Sequence, residues 1–327
     1  MSTKILAPGQ ENPRLRILKR IWKEYSIIFV TIFIFALAGI LDPRFIQPSN
    51  MLVILNQATF VGVIAIGMTF VIITGGIDLS SGHVMATAGA VLITLQGMPQ
   101  MPLIVAILVC FAVSALIGLV NGLIITKLNI PPFIATLAVG IMARSIAVYS
   151  VGGGSITGIR DPAFLQIGNG SLGFMPYSVM IWIALAVICG YILKYTRYGT
   201  NTYAVGGNEL AAKFSGIATD KTKIMAYTLT GFCAGVAALL SFSRMASVTV
   251  PTSALGFEFE AITAAIVGGT ALSGGRGRML GTFLGAIILV SITNMVTMLG
   301  VSLFLTGFVK GLVVLVAVML QSRQGLK

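Results

Sequence analysis

Apolar residues in this chain fall in long blocks, neither alternating nor repeating every three to four positions, and most blocks are about as long as a bilayer's hydrocarbon is thick. They cover 25–41, 58–74, 79–96, 102–127, 131–151, 177–193, 222–243, 257–272, 279–298 and 302–320. This pattern predicts an all-α, polytopic integral membrane protein with about ten transmembrane helices. A helix satisfies every backbone group within its own segment, as a lipid-exposed span requires. Two pairs of blocks are separated only by Gly75-Gly76-Ile77-Asp78 and by Ser273-Gly274-Gly275-Arg276. Broken or re-entrant helices are therefore an alternative at both places, which lowers the count towards eight. The organisation read from the pattern is an N-terminal segment 1–24, one membrane domain 25–321 and a tail 322–327. Two polar interruptions stand out, 152–176 and 194–223. The Gly-rich first one is read as a loop with a short helix near Pro162–Leu165.

Composition agrees with the pattern. Hydrophobic residues make up 57% of the chain and charged residues 9%, far below the roughly 25% charged of a soluble domain. Ten crossings place sixteen Lys and Arg on one side: Lys4, Arg14, Arg16, Lys19, Arg20, Lys23, Lys127, Lys194, Arg197, Lys213, Lys221, Lys223, Arg276, Arg278, Arg323 and Lys327. Only Arg44, Arg160 and Arg244 fall on the other. Because basic loops stay inside, both termini and 194–223 are expected in the cytoplasm, with 152–176 outside. The net charge of +12 is thus spread over loops and forms no single basic face, which excludes a nucleic-acid partner. The first apolar block lacks a small-residue cleavage site after its basic start and is read as an uncleaved helix.

Catalytic chemistry is hard to place here. His83 is the only histidine, and Cys110, Cys189 and Cys233 all sit inside apolar blocks. A histidine-based metal centre, a Ser-His-Asp triad and a disulfide framework are excluded on those grounds. Gly274-Gly275-Arg276-Gly277-Arg278 has neither the spacing nor the lysine of a phosphate-binding loop. No catalytic residue, metal or cofactor is assigned to the chain, and any ATP and Mg that drive it belong on a partner.

The most informative polar segment is Tyr203 to Ile217. Asn208 is suited to cap a short helix that carries Glu209 in its first turn and Lys213 in its last, ending at Gly216. A helix of two turns is marginal in water, so either a partner holds it or it lies on lipid headgroups. A docked helix is expected to bury Ala211, Ala212 and Ser215, with Gly207 and Gly216 setting the bends. An internal echo also appears: Gly75-Gly76-Ile77-Asp78-Leu79-Ser80-Ser81-Gly82 matches Gly268-Gly269-Thr270-Ala271-Leu272-Ser273-Gly274-Gly275 at five positions. Such repeats often line a transporter's substrate path at its midplane. Ionisable residues near apolar blocks are functional suspects. Asp78 and Glu260 sit near helix ends, Arg144 either snorkels outward or pairs with Glu258 or Glu260, and Lys310 reaches the outer surface.

These residues resemble a known family, the sugar-type permease subunits of bacterial ATP-binding-cassette importers, such as those for ribose, xylose, arabinose and galactose. The resemblance covers nearly the whole chain. It rests on Gly75-Gly76-Ile77-Asp78-Leu79-Ser80, Phe133-Ile134-Ala135-Thr136-Leu137, Gly206-Gly207-Asn208-Glu209 with Ala211-Ala212 and Ser215-Gly216, and Gly268-Gly269-Thr270 through Gly274-Gly275. Ser81-Gly82-His83 departs from the Val-Gly-Ser of many relatives. The resemblance implies that Gly207, Asn208, Glu209, Ala211, Ala212, Lys213 and Gly216 couple the chain to an ATPase subunit. It also implies a second permease copy, identical or not, a periplasmic or lipid-anchored sugar-binding protein, and a bacterial inner-membrane location. Asp78, Ser80, Asn121, Thr136, Glu260 and Asn294 are then candidates for the translocation path, although Asn121 and Asn294 equally suit joining helices. The rival reading, a secondary carrier driven by an ion gradient, calls for ionisable residues deep in several helices, and few are present.

Overall fold

The computed structural model describes residues 13–157 and 161–300, together with positions 305, 307–312, 315 and 319, with side chains described from residue 27 onwards. Twelve α-helices follow in order among the described residues: α1 Pro13–Leu41, α2 Pro48–Ile73, α3 Ser81–Gly97, α4 Leu103–Lys127, α5 Pro132–Ser150, α6 Pro162–Asn169, α7 Tyr177–Tyr195, α8 Arg197–Gly207, α9 Glu209–Phe214, α10 Thr219–Met245, α11 Phe257–Val267 and α12 Met279–Met298. Six of them, α2, α4, α5, α7, α10 and α12, are long and apolar enough to cross a membrane. The block 302–320 lies largely outside the described residues, as do the segments 1–12 and 322–327.

Prolines set several helix starts. Pro48, Pro132 and Pro162 each occupy the first turn, where the missing N–H costs nothing and the fixed φ already suits the helix. Pro48 also explains why α2 begins well before the apolar block at 58. The apolar block 257–272 is shortened in the opposite sense, since α11 stops at Val267 where Gly268 and Gly269 take over, Gly269 at φ 90°. Its eleven residues rise only about 16 Å, roughly half of a bilayer core. The second glycine break is therefore the end of a half-helix inside the bundle. The 152–176 stretch is more ordered than a loop. Asp161 caps α6, and short antiparallel strands β1 (Ser155–Thr157) with β4 (Ser247–Thr249), and β2 (Ser171–Leu172) with β3 (Met175–Pro176), add a small β component to the expected all-α fold.

At the centre stands α10, 72% of whose apolar window is buried, packed against α2, α3, α4 and α6. By contrast α4 is 22% buried over its window, leaving Ile104, Leu108 and Leu116 outward as lipid-suited surface. Trp182 of α7 lies directly over Gly62 of α2 and stacks on Phe283 of α12 at 4.1 Å between ring centroids. Small residues allow these backbones to approach closely, as helices must where lipid gives no hydrophobic drive to pack.

Candidate functional site: a buried break and the corner beneath it

The chain between α2 and α3 is extended, and its polar groups must be satisfied away from water. Asp78 Oδ1 accepts from the backbone N–H of Ser80 at 2.8 Å and from Ser80 Oγ at 2.6 Å, so it closes the turn that starts α3. Asn121 of α4 donates its amide to Ser80 Oγ at 2.8 Å. From α5, Thr136 Oγ1 accepts the N–H of Leu79 at 3.0 Å and donates to Pro132 O at 2.8 Å. Four of the six path candidates thus come together in one network, and each is 1% exposed or less. The face of α5 that reads this break is spaced by whole turns: Thr136 meets Leu79, Gly140 lies against Ser80 and His83, and Arg144 donates to Gly82 O. Gly140 escaped the sequence reading, although the i, i+4, i+8 spacing from Thr136 to Arg144 was available as a signal.

The other two candidates lie elsewhere. Asn294 exchanges both amide hydrogen bonds with Asn50, each 3.0 Å, and so joins α12 to the start of α2. Glu260 pairs with Lys310, both partly exposed. Arg144 donates to Pro251 O, Ser253 O and Gly82 O, so backbone carbonyls hold its guanidinium, with no carboxylate among its hydrogen-bond partners in the described residues.

Next to Thr74–Gly76 lies a partly open cavity of about 280 Å³, lined as well by Gly206–Glu209 at the corner between α8 and α9, by Pro132 of α5 and by Lys223 and Tyr227 of α10. Asn208 caps α9 through Oδ1, accepting from Ala211 N–H at 2.9 Å. Glu209 pairs with Lys223, Lys213 stands in the last turn, and Gly216 at φ 81° ends the motif. The helix predicted from the sequence is present, and of its expected docking residues Ala211 and Ser215 are exposed whereas Ala212 is turned inward. Ala212 is 5% exposed and packs into its own chain, whereas Leu210 is 69% and Phe214 89% exposed. On a six-residue helix side-chain direction depends on how the helix is seated, and the sequence does not show that. Beside the exposed Ala211 and Ser215 the outward face carries Leu210 and Phe214, neither of them among the sequence candidates.

Both glycine breaks meet this corner. A Cβ on Gly206 would lie 1.6 Å from Ile73 O and 2.6 Å from Gly275 N, so only glycine lets the end of α8 lie on the end of α2. Gly275 N–H donates to Ile73 O at 2.9 Å, and Tyr203 Oη donates to Gly277 O at 2.7 Å. The expectation that Gly207 sets the bend is corrected here, because a Cβ at Gly207 meets nothing within 4 Å. The two glycine breaks, far apart in sequence, are thus tied to one another and to α8 through backbone contacts and the Tyr203 hydroxyl.

Comparison with known proteins fits this arrangement. Residues 50–318 match the family described as branched-chain amino acid transport system, permease component. The ribose import permease protein of Bacillus subtilis is 40% identical over 298 residues, 90% of this chain and 92% of the relative. The L-arabinose transport system permease protein of Escherichia coli is 33% identical over 299 residues, 91% and 90% of the two chains. The galactose/methyl galactoside import permease protein of Haemophilus influenzae is 33% identical over 323 residues, 92% and 94%. A bundle of membrane-length helices, two glycine breaks joined at a capped corner, and likeness along nearly the whole length all agree: the chain belongs to the transport-system permease-component family that includes the ribose, arabinose and galactose import permeases.

Proposed function

We propose that this chain is the multi-pass permease subunit of a bacterial inner-membrane importer of the ATP-binding-cassette class and that its cargo is a small sugar. The observation that carries the reading is the α8–α9 corner: a capped helix with Leu210 and Phe214 turned outward, mounted on the break that holds Asp78. Two large apolar side chains on a short polar surface helix suit the core of a protein interface better than water does. The corner faces the cytoplasm, as the distribution of basic residues requires, and docks into a separate ATPase subunit that holds ATP and Mg. A second permease copy and an external sugar-binding protein complete the assembly.

In this reading the network of Asp78, Ser80, Asn121 and Thr136 is the closed septum between the cavity and the outer half of the bundle. When the ATPases close, α9 moves as a unit with the end of α8. Gly206 passes that movement to Ile73 and Gly275 with no intervening side chain. Packed elements of this kind switch between discrete arrangements and resist gradual deformation. The family model's description names branched-chain amino acids, whereas the named relatives above carry sugars, and identity of 33–40% over nine-tenths of the chain favours the sugar.

The test is reconstitution in liposomes. The chain with its ATPase and binding protein is expected to take up ribose, arabinose or galactose only when ATP is hydrolysed, and the chain alone is expected to take up none. Uptake by the chain alone under an ion gradient would replace this reading with that of a secondary carrier.

A further inference from the structure

Among the described residues, four polar side chains near Gly82 each keep one buried atom without a hydrogen-bond partner, Ser81 Oγ, His83 Nδ1, Arg144 Nε and Glu258 Oε2, as does Asn121 Oδ1 on α4. Ser81, Arg144 and Glu258 are themselves more than nine-tenths buried. Two of them, Arg144 and Glu258, converge on one peptide. Arg144 Nη2 donates to Gly82 O at 3.2 Å, and Glu258 Oε2 lies so near Gly82 that a Cβ there would be 2.1 Å from it. Ser81 and His83 flank that residue, and the His83 ring lies against Gly140, one turn before Arg144. Buried polar groups in native proteins are nearly always paired, so several open valences around one glycine mark a place where something else supplies the partners.

We propose that this cluster is a recognition subsite for the vicinal hydroxyls of the cargo, an inference that rests on the permease reading above. The donor set carries the chemistry. Guanidinium N–H donates, the Glu258 oxygen accepts, and the hydroxyl and imidazole do either, which matches a diol whose oxygens each offer one O–H and accept in return. A carboxylate cargo fits less well. Both terminal nitrogens of Arg144 already hold the carbonyls of Pro251, Ser253 and Gly82, so the bidentate grip that selects carboxylates is taken. Gly82 is the residue that lets Glu258 come against the backbone of α3, since a Cβ there would lie 2.1 Å from Glu258 Oε2 and 2.5 Å from Ala254 O. Along α5, Arg144 lies about 18 Å beyond Pro132, at about 1.5 Å per residue. Because Pro132 lines the cavity, the subsite sits on the far side of the septum, where cargo from outside arrives first.

The experiment uses the complete permease, ATPase and binding-protein complex in liposomes, with the binding protein saturated in turn by ribose and by a second sugar it accepts. Saturation removes the binding protein's own preference, and the readout is the ratio of the two uptake rates. Glu258→Gln is expected to shift that ratio by about tenfold or more, the scale set when a site built for a hydroxyl loses its partner, while binding-protein-stimulated ATP hydrolysis persists. A ratio equal to wild type, whether both rates are kept or both fall together, overturns the subsite. If Glu258→Gln fails to assemble, Ser81→Ala and His83→Asn decide by the same ratio. Should the wild-type complex carry no sugar at all, the permease reading fails first. Wild-type uptake with unshifted ratios in the variants defeats the subsite alone.

Discussion

The septum and the corner beneath it are neighbours with opposite needs. Around Asp78 the carboxylate, the Ser80 hydroxyl and amide and the Leu79 amide find partners within the chain, and the four side chains of the network are almost fully buried. At α9 the backbone is capped from within, yet Leu210 and Phe214 are left facing outward. The first region is completed by folding, whereas the second is completed by assembly. Substitutions should therefore separate cleanly, with the septum reporting through stability and the corner through partner binding.

The largest effect is expected at the corner. Phe214→Asp should abolish copurification with the ATPase and reduce sugar uptake by about a hundredfold or more, because a charge would replace the central apolar anchor of an interface. Thermal unfolding of the isolated permease should not change, since that side chain packs on little of its own chain. An equal loss of thermal stability would break the contrast. Next comes the septum: Asp78→Ala removes the acceptor of two hydrogen bonds and should cost about 2–4 kcal/mol by leaving Ser80 donors unpaired in a dry site. Asp78→Asn keeps an acceptor oxygen and should cost less, so the two variants sharpen the assignment of Asp78 to the turn. Asn294→Ala, which breaks the reciprocal pair with Asn50, should cost about 1–2 kcal/mol with the coupling of ATP hydrolysis to uptake intact. The smallest effect belongs to Lys127→Ala. Its ion pair with Asp220 is exposed on both sides, and such pairs contribute about 0.5 kcal/mol or less.

Much of this was legible in the residues because the physical causes are local. Blocks of bilayer length gave most of the helices, and Asn208, Glu209 and Gly216 specified a capped short helix by the ordinary rules of helix ends. Asp78 stood out as a carboxylate in a glycine-rich gap. What the residues hid depends on long-range placement. Ala212 looked like part of a docking face, and only the seating of α9 turns it inward. Gly207 and Gly206 are indistinguishable as letters, yet one faces open space and the other touches the backbone of α2. The block 257–272 read as a span, because hydropathy does not register a helix ending at Gly268 inside the bundle. The convergence of Asp78, Ser80, Asn121 and Thr136 required three helices to be in place, whereas Asn294 and Glu260, equally plausible in the sequence, found partners elsewhere.

The link between the two regions is Gly206, and the most direct measurement is the number of sugar molecules imported per ATP hydrolysed by the reconstituted Gly206→Ala complex. A methyl group there would meet Ile73 O and push the end of α8 off α2, and displacements of about 1 Å at such contacts are enough to cost about a hundredfold in function. The account expects the ATPase to remain bound through Leu210 and Phe214 and to keep hydrolysing ATP, while sugar per ATP falls about tenfold or more. A variant complex that imports as much sugar per ATP as wild type would contradict the claim that α9 drives the septum through this contact.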